Sequence, residues 1–510
     1  MLAKINSFGI CGLEAYPVTI EVDVSKGLPA TMIVGLPDNA VKESKERVRA
    51  AIKNSGYKFV AERITINLSP ADIKKEGPSF DLAIALGLLA ASEQIERTSL
   101  ENFIILGELS LDGKIQPVSG ALCVALSLPP HKFQGLILPQ LNAPEAALTD
   151  QTNIYPVSTL NEAIHVLHNT NTISPFQPKK SPAKKNHFYD IDFSDVKGQM
   201  QVKRGLEIAA AGGHNVLLIG PPGSGKTMLA RRLPTILPDM TREESLEATK
   251  IHSVMGLSST ENGLITQRPF RSPHHTASDI ALVGGGSIPK PGEVTLAHHG
   301  VLFLDELPEF SRNVLEALRQ PLEDHCVTIS RAAKTIRFPS QFMLIAAMNP
   351  CPCGWYSVPR KQCQCSPQQI QKYLAKISGP LLDRIDIHLE VPALKATDLF
   401  SHHSSESSQE IKLRTSQCKE ILKGRFKKSP SLFCNAQMNH RQIKNFCPLQ
   451  TASKEILKSA VEELGFSARA HDKIVKVART ISDLDGSGDI LPQHIAEAIQ
   501  YRSLDRNWWG

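Results

Sequence analysis

The stretch "NVLLIGPPGSGKTMLARRL", residues 215–233, sets a glycine-rich loop between an apolar run and a helix-like run. Gly220, Gly223 and Gly225 permit a tight turn whose backbone N–H groups converge on phosphate oxygens. Lys226 has the reach and charge to meet β- and γ-phosphates, and the Thr227 hydroxyl can ligate Mg²⁺. Gly220, Pro221, Pro222, Gly223, Ser224, Gly225, Lys226, Thr227 and Met228 therefore form a candidate nucleotide loop, with ATP and Mg²⁺ as expected ligands. Such a loop needs an acidic strand end beside it to hold the metal and polarise water. "GVLFLDEL" (300–307) supplies one, with Asp305 expected to ligate Mg²⁺ through water and Glu306 as the candidate base. A third apolar run, "FMLIAAMNP" (342–350), ends in Asn349, whose amide can orient the attacking water.

These strand ends imply the elements that carry them. Short Val/Ile/Leu runs alternate with helix-like segments up to about residue 393, which predicts an α/β core with a buried parallel sheet flanked by helices. Beyond it "TASKEILKSAVEELG" and "PQHIAEAIQYR" are helical in pattern, giving an expected core over 191–393 and a helical lid over 394–510. A Pro-, Ser- and Lys-rich stretch without period, 169–190, reads as a linker that sets off a first domain, 1–168.

With 41% hydrophobic and 21% charged residues, the chain has the composition of a globular protein rather than a disordered or fibrous one. Its longest apolar stretch, "FDLAIALGLLAA" (80–91), is too short to span a bilayer. The first residues lack the continuous apolar run of a signal peptide, so no membrane and a cytoplasmic location are expected. A net charge of +6 permits a polyanionic partner, while an aromatic content of 5% argues against broad base-stacking surfaces.

Four of the ten cysteines form two Cys-x-Cys pairs, Cys351 with Cys353 and Cys363 with Cys365. Four thiolates suit tetrahedral Zn²⁺, although a one-residue gap leaves less room for backbone N–H···S bonds than the usual spacing. Four reduced thiols and a redox disulfide are the alternatives. The histidine pairs 274–275 and 298–299 also invite a metal reading. Adjacent residues on a strand point to opposite faces, so structural or ATP-coupling roles are expected for them instead.

"GPPGSGKT", "LFLDE", "AAMNP", "SGPLLDRIDIHLEV" and "SARAHDKIVKVARTISDLDG" together resemble the AAA+ ATPases. The run 268–310, from "RPFRSPHH" to "LDELPEF", resembles their magnesium-chelatase-related branch, and most specifically the ComM/YifB family of competence-associated DNA helicases. The likeness extends over the whole chain, including the ending "YRSLDR". It implies a homo-oligomeric ring, commonly hexameric, in which a neighbour completes each ATP site. By the same resemblance Arg384 matches the arginine finger, Arg469 matches the sensor-2 arginine of the lid, and "DVKGQ" (195–199) looks like the segment that contacts adenine. The implied activity is ATP-driven translocation on DNA with branch migration in recombination or natural transformation. The alternative is a chelatase-type motor that remodels a partner protein for metal insertion. A zinc-closed cysteine loop would brace the link between Asn349 and Arg384, since it ends at Ser366, which with Gln369 forms a capping box.

"HCVTISRAAKTIRFPSQF" (325–342) reads as strand, tight turn and strand, with Arg331 and Lys334 at its tip. In the branch this chain resembles, a hairpin at this position enters the central pore. The Gly/Pro-rich 284–295, with Lys290, looks like a second loop facing that channel. Cationic tips there would track phosphates of single-stranded or branched DNA without reading sequence. The first domain resembles the proteolytic domain of Lon-type proteases, an α+β fold, with Ser79 at the nucleophile position. The position matching the activating lysine is Leu122, so Lon's chemistry is not expected. Lys74, Lys75 and Lys114 are candidates for a DNA-facing surface, with an ordinary solvated face as the alternative.

Overall fold

The computed structural model describes the chain except for residues 98, 131, 170–171, 179–188, 258–262, 287–288, 332–333, 357–361, 394–405, 430–431 and 503–510. Much of the expected linker, the lid boundary near 394 and the ending "SLDR" thus lie outside the described residues. The chain divides into two compact units, Met1–Lys185 with Arg242–Ile265, and Asn186–Thr241 with Thr266–Gly510.

The first unit is built on seven strands: β1 (Leu2–Cys11), β2 (Glu14–Ser25), β3 (Ala30–Val34), β4 (Arg63–Ser69), β5 (Phe103–Ile105), β6 (Gly135–Pro139) and β7 (Ile154–Val157). They lie in the order β3-β4-β2-β1-β5-β6-β7. β1, β2 and β4 pair antiparallel, and the remaining pairings are parallel. One face is covered by α1 (Asn39–Asn54) and α2 (Asp81–Ala91). All eleven residues of α2 are buried, which explains its uninterrupted apolar sequence: it lies between the sheet and α1. Gly87 makes this approach possible, since a methyl group there would lie 2.5 Å from Ile5 Cδ1. The opposite face packs beneath α3 (Ala121–Ser127). The helix Arg242–Val254 returns to this unit, and the N–H of Gly120 donates to the Ser253 carbonyl at 2.9 Å.

The second unit holds a five-stranded, all-parallel sheet: β8 (Val216–Ile219), β9 (Phe270–Arg271), β10 (Val301–Leu304), β11 (Met343–Met348) and β12 (Ile387–Glu390), in the order β9-β10-β11-β8-β12. Every residue of β8, β10 and β11 is buried, as both faces of a parallel sheet require. Alternate side chains enter two cores, Val216, Leu218, Phe303 and Ile345 on one face and Leu217, Ile219, Leu304 and Ala346 on the other. Helices α4 (Met200–Gly212) and α5 (Lys226–Ile236) flank β8 in sequence. α6 (Pro367–Leu374) begins at the expected capping box of Ser366 and Gln369. The region after the sheet is helical, led by α7 (Ser408–Phe426) and α8 (Ala468–Leu484). Among the described residues no helix is long and apolar enough to cross a membrane.

Candidate functional site

The carboxyl ends of β8, β10 and β11 converge, as open parallel sheets dictate for a binding crevice. After β8 the chain turns through Gly223 (φ 74°) and Gly225 (φ 92°) and enters α5 directly at Lys226. A methyl group built on either glycine meets nothing within 4 Å, so left-handed backbone and not crowding calls for glycine there. Space remains open above the loop, and the start of α5 lends it the positive end of a helix dipole. Gly220 is required for a different reason: a methyl group would lie 2.2 Å from the Val391 carbonyl oxygen.

Lys226 Nζ donates to the Gly220 and Pro221 carbonyls at 2.7 and 3.0 Å and to Asn349 Oδ1 at 3.1 Å. Burial pulls this ammonium below the usual lysine range, with Asp305 and Glu306 opposing the shift. The Thr227 hydroxyl donates to Asp305 Oδ2 at 2.6 Å, which assembles the two expected Mg²⁺ ligands side by side. These residues fit a magnesium nucleotide: a glycine cradle, a buried cation, and a hydroxyl–carboxylate pair at one strand end. Glu306 follows in the left-handed region (φ 52°), and its N–H donates to Asp305 Oδ1 at 3.0 Å. A non-glycine residue held there is strained, a cost that concentrates at functional turns.

The histidine pairs overturn the strand argument. Both lie in turn segments, with ring centroids 4.1 Å apart for His274–His275 and 3.9 Å for His298–His299, so the rings of each pair lie side by side at a tilt instead of splaying. His275 Nδ1 lies 3.4 Å from Glu306 Oε2, a contact that sequence spacing could not reveal. Gln199, at the end of "DVKGQ", donates from Nε2 to the Ser224 carbonyl at 2.7 Å, and Asp195 pairs with Arg232 of α5 at 2.8 Å. That segment is thereby fixed to the nucleotide loop and its helix.

The two candidate arginines take other partners. Arg384 Nη2 pairs with Glu323 and its Nη1 donates to the Pro380 carbonyl, while the exposed Arg469 lies 3.5 Å from Asp383. Beneath them Asp386 is buried with Lys473 Nζ at 2.7 Å, His214 Nδ1 at 3.5 Å and the Asn215 N–H at 3.1 Å. Although burial alone raises a carboxyl's pKa, Lys473 and His214 hold this one far below the usual range. Lys473 stands on α8 one turn beyond Arg469, so two ion pairs fasten the Asp383–Asp386 segment to that helix.

The cysteines converge. Cys351 Sγ lies 3.4 Å from Cys353 Sγ and 3.7 Å from Cys363 Sγ, and the latter two are 3.6 Å apart. With Cys365 all four sulfurs fall within 4.8 Å of one another. A tetrahedron with metal–sulfur bonds of about 2.3 Å has edges of about 3.8 Å. The spacing fits a tetrahedral metal and is far too long for a disulfide. The tight Cys-x-Cys gap still admits N–H···S bonds, from Tyr356 to Cys351 and from Cys365 to Cys363, both at 3.4 Å. Backbone N–H groups of Trp355 and Gln364 pull the Cys353 thiol down to about 6.

The expected hairpin forms, with Cys326–Arg331 and Lys334–Pro339 antiparallel and Arg331 opposite Lys334. The side chains of Arg331 and Lys334 lie outside the described residues. Lys290 is exposed, in a short antiparallel pair with Gly285 opposite. In the first unit Ser79 occupies the turn before α2, and its carbonyl accepts from the Gly107 N–H at 2.9 Å. Leu122 is wholly buried in α3. Lys75 belongs to no surface: its side chain is fully buried, whereas Lys74 and Lys114 stay exposed beside Glu76 and Asp112.

The family described as "Magnesium chelatase, subunit ChlI" matches residues 192–399, its C-terminal counterpart matches 405–502, and "Subunit ChlI of Mg-chelatase" matches 20–142. The chain is 45% identical over 512 residues to "Competence protein ComM" of Haemophilus influenzae, covering 99% of this chain and 98% of that protein. It is 44% identical over 507 residues to "Uncharacterized protein YifB" of Escherichia coli, covering 99% and 98%. The chloroplastic "Magnesium-chelatase subunit ChlI" of Oryza sativa subsp. japonica is 22% identical over 351 residues, 63% of this chain and 73% of that protein. The parallel sheet with its glycine loop and acidic strand end agrees with these matches, and the chain belongs to the ComM/YifB family of magnesium-chelatase-related AAA+ proteins.

Proposed function

We propose that this protein is an ATP-hydrolysing ring motor that translocates on DNA and promotes branch migration during recombination or natural transformation. The observation that carries the ATPase part is the meeting of Lys226, Thr227, Asp305 and Asn349 at adjoining strand ends. In this reading Lys226 and the loop N–H groups hold the phosphates. Glu306 takes the proton of the attacking water, which Asn349 orients. Thr227 and Asp305 would hold Mg²⁺, which when bound would supply positive charge against the phosphates. Arg384 leaves Glu323 to reach the γ-phosphate of the neighbouring subunit in a hexameric ring, and Arg469 serves its own. The four thiolates hold a structural Zn²⁺.

The DNA part rests on the hairpin with Arg331 and Lys334, on Lys290, and on the likeness to a protein named for competence. The first unit is read as a Lon-like fold without Lon's chemistry, since Leu122 supplies no base for Ser79. A second reading, remodelling of a partner protein for metal insertion, is favoured by the chelatase family matches. A labelled four-way DNA junction separates the two. The motor reading expects ATP-dependent conversion of the junction to duplex products by the wild-type chain and none with Lys226→Ala; an intact junction with both chains overturns it.

A further inference from the structure

The cysteine loop sits against the nucleotide loop as well as following Asn349 in sequence. Gly354, between the two cysteine pairs, is in the left-handed region (φ 82°) and faces Pro222 of the nucleotide loop. A methyl group on Gly354 would lie 2.5 Å from Pro222 Cδ, 2.7 Å from its Cγ and 3.8 Å from Asn349 Cγ. The chain thus passes in backbone-close contact over the proline at the crest of that loop. The same stretch is fixed from the other side. Cys351 is wholly buried, its carbonyl accepts from the Gly354 N–H at 2.9 Å, and the buried Tyr373 hydroxyl of α6 faces the Asn349 backbone N–H.

Taken with the reading of the four thiolates as a zinc site, on which this inference rests, we propose that the metal closes a buttress that holds the nucleotide loop in its phosphate-binding shape. The bound ion would tie Cys351 and Cys353, which directly precede Gly354, to Cys363 and Cys365 just before α6. Loss of the ion frees Gly354 from Pro222, and the Asn349–Lys226 contact loses its backing. The ion therefore stands outside the chemistry and sets nucleotide affinity through packing. Packing that leaves no room for a methyl group on Gly354 should also respond to that single added group.

The test uses the full chain, with metal content by mass spectrometry and affinity for a fluorescent ATP analogue. Wild type and Gly354→Ala should each carry one zinc per chain and Cys363→Ser none. Affinity should fall by about tenfold in Gly354→Ala and in wild type stripped by a chelator, and Zn²⁺ alone should restore the stripped protein. Absence of zinc from wild type overturns the metal reading itself. One zinc per chain in wild type with affinity unchanged after stripping overturns the buttress and leaves the metal reading standing, whatever Gly354→Ala does.

Discussion

The hydroxyl of Thr227, at the start of α5, donates to Asp305 at the end of β10 over 2.6 Å, although 78 positions separate them in the chain. Two parallel strands bring these groups together, and the pair occupies the place where a magnesium ion joins a nucleotide loop to an acidic strand end. Glu306 lies one residue further, aimed by a left-handed turn and touched by His275. The proposed function gives ligand holding to Asp305 and water activation to Glu306, adjacent carboxylates that substitution can separate.

Replacing Glu306 by Gln should leave ATP binding near the wild-type value and lower kcat by about 10²–10⁴-fold. Replacing Asp305 by Asn should instead weaken Mg²⁺-dependent nucleotide binding. Equilibrium binding of a nucleotide analogue beside steady-state hydrolysis checks both, and identical defects in the two variants would contradict the division of labour.

In its proposed role as the finger Arg384 acts only on the developing charge, so Arg384→Ala should lower kcat by about 10³–10⁵-fold with nucleotide binding retained. Arg384→Lys should not recover the rate, since the planar guanidinium is what suits a phosphoryl group. Glu323→Gln removes the partner that holds Arg384 within its own subunit, so hydrolysis should rise or stay unchanged but not fall.

The buried Asp386–Lys473 pair gives a stability prediction. Lys473→Met leaves a carboxylate without its cation and should cost about 3–5 kcal/mol, read from the denaturant midpoint of the second unit. With its pKa depressed in the fold, Asp386 contributes stability that is fully present above the unfolded value of about 4. That contribution is lost as pH falls toward the depressed value. Acid unfolding should therefore begin only below about pH 4 for this group, and Asp386→Asn should flatten that part of the profile.

The first unit should show no peptidase activity, and Ser79→Ala should change nothing in ATP hydrolysis. Cleavage of an unfolded protein substrate that disappears with Ser79→Ala would contradict the absence of a base at Leu122.

Much of the second unit was legible because a parallel sheet buried on both faces must be written as unbroken apolar runs. The strand ends carrying Lys226, Asp305 and Asn349 could be aligned from those runs alone. Contacts made at long range left no such trace. Nothing local marks Glu323 as the partner of Arg384, His275 as the neighbour of Glu306, or residues 242–265 as part of the first unit. Lys75 looked like a surface cation because its sequence neighbours are polar, yet the backbone bridge to Pro37 draws it inside. The histidine pairs misled for a related reason: alternation holds on strands, and these pairs lie in turns.

The central claim is that ATP hydrolysis is coupled to DNA through the hairpin. It is tested most directly by the steady-state ATPase rate of the full chain with and without single-stranded and branched DNA, for wild type and Lys334→Ala. The account predicts a clear rise with DNA in wild type and a much smaller one in Lys334→Ala, with matching rates when DNA is absent. A wild-type rate indifferent to both kinds of DNA would contradict it.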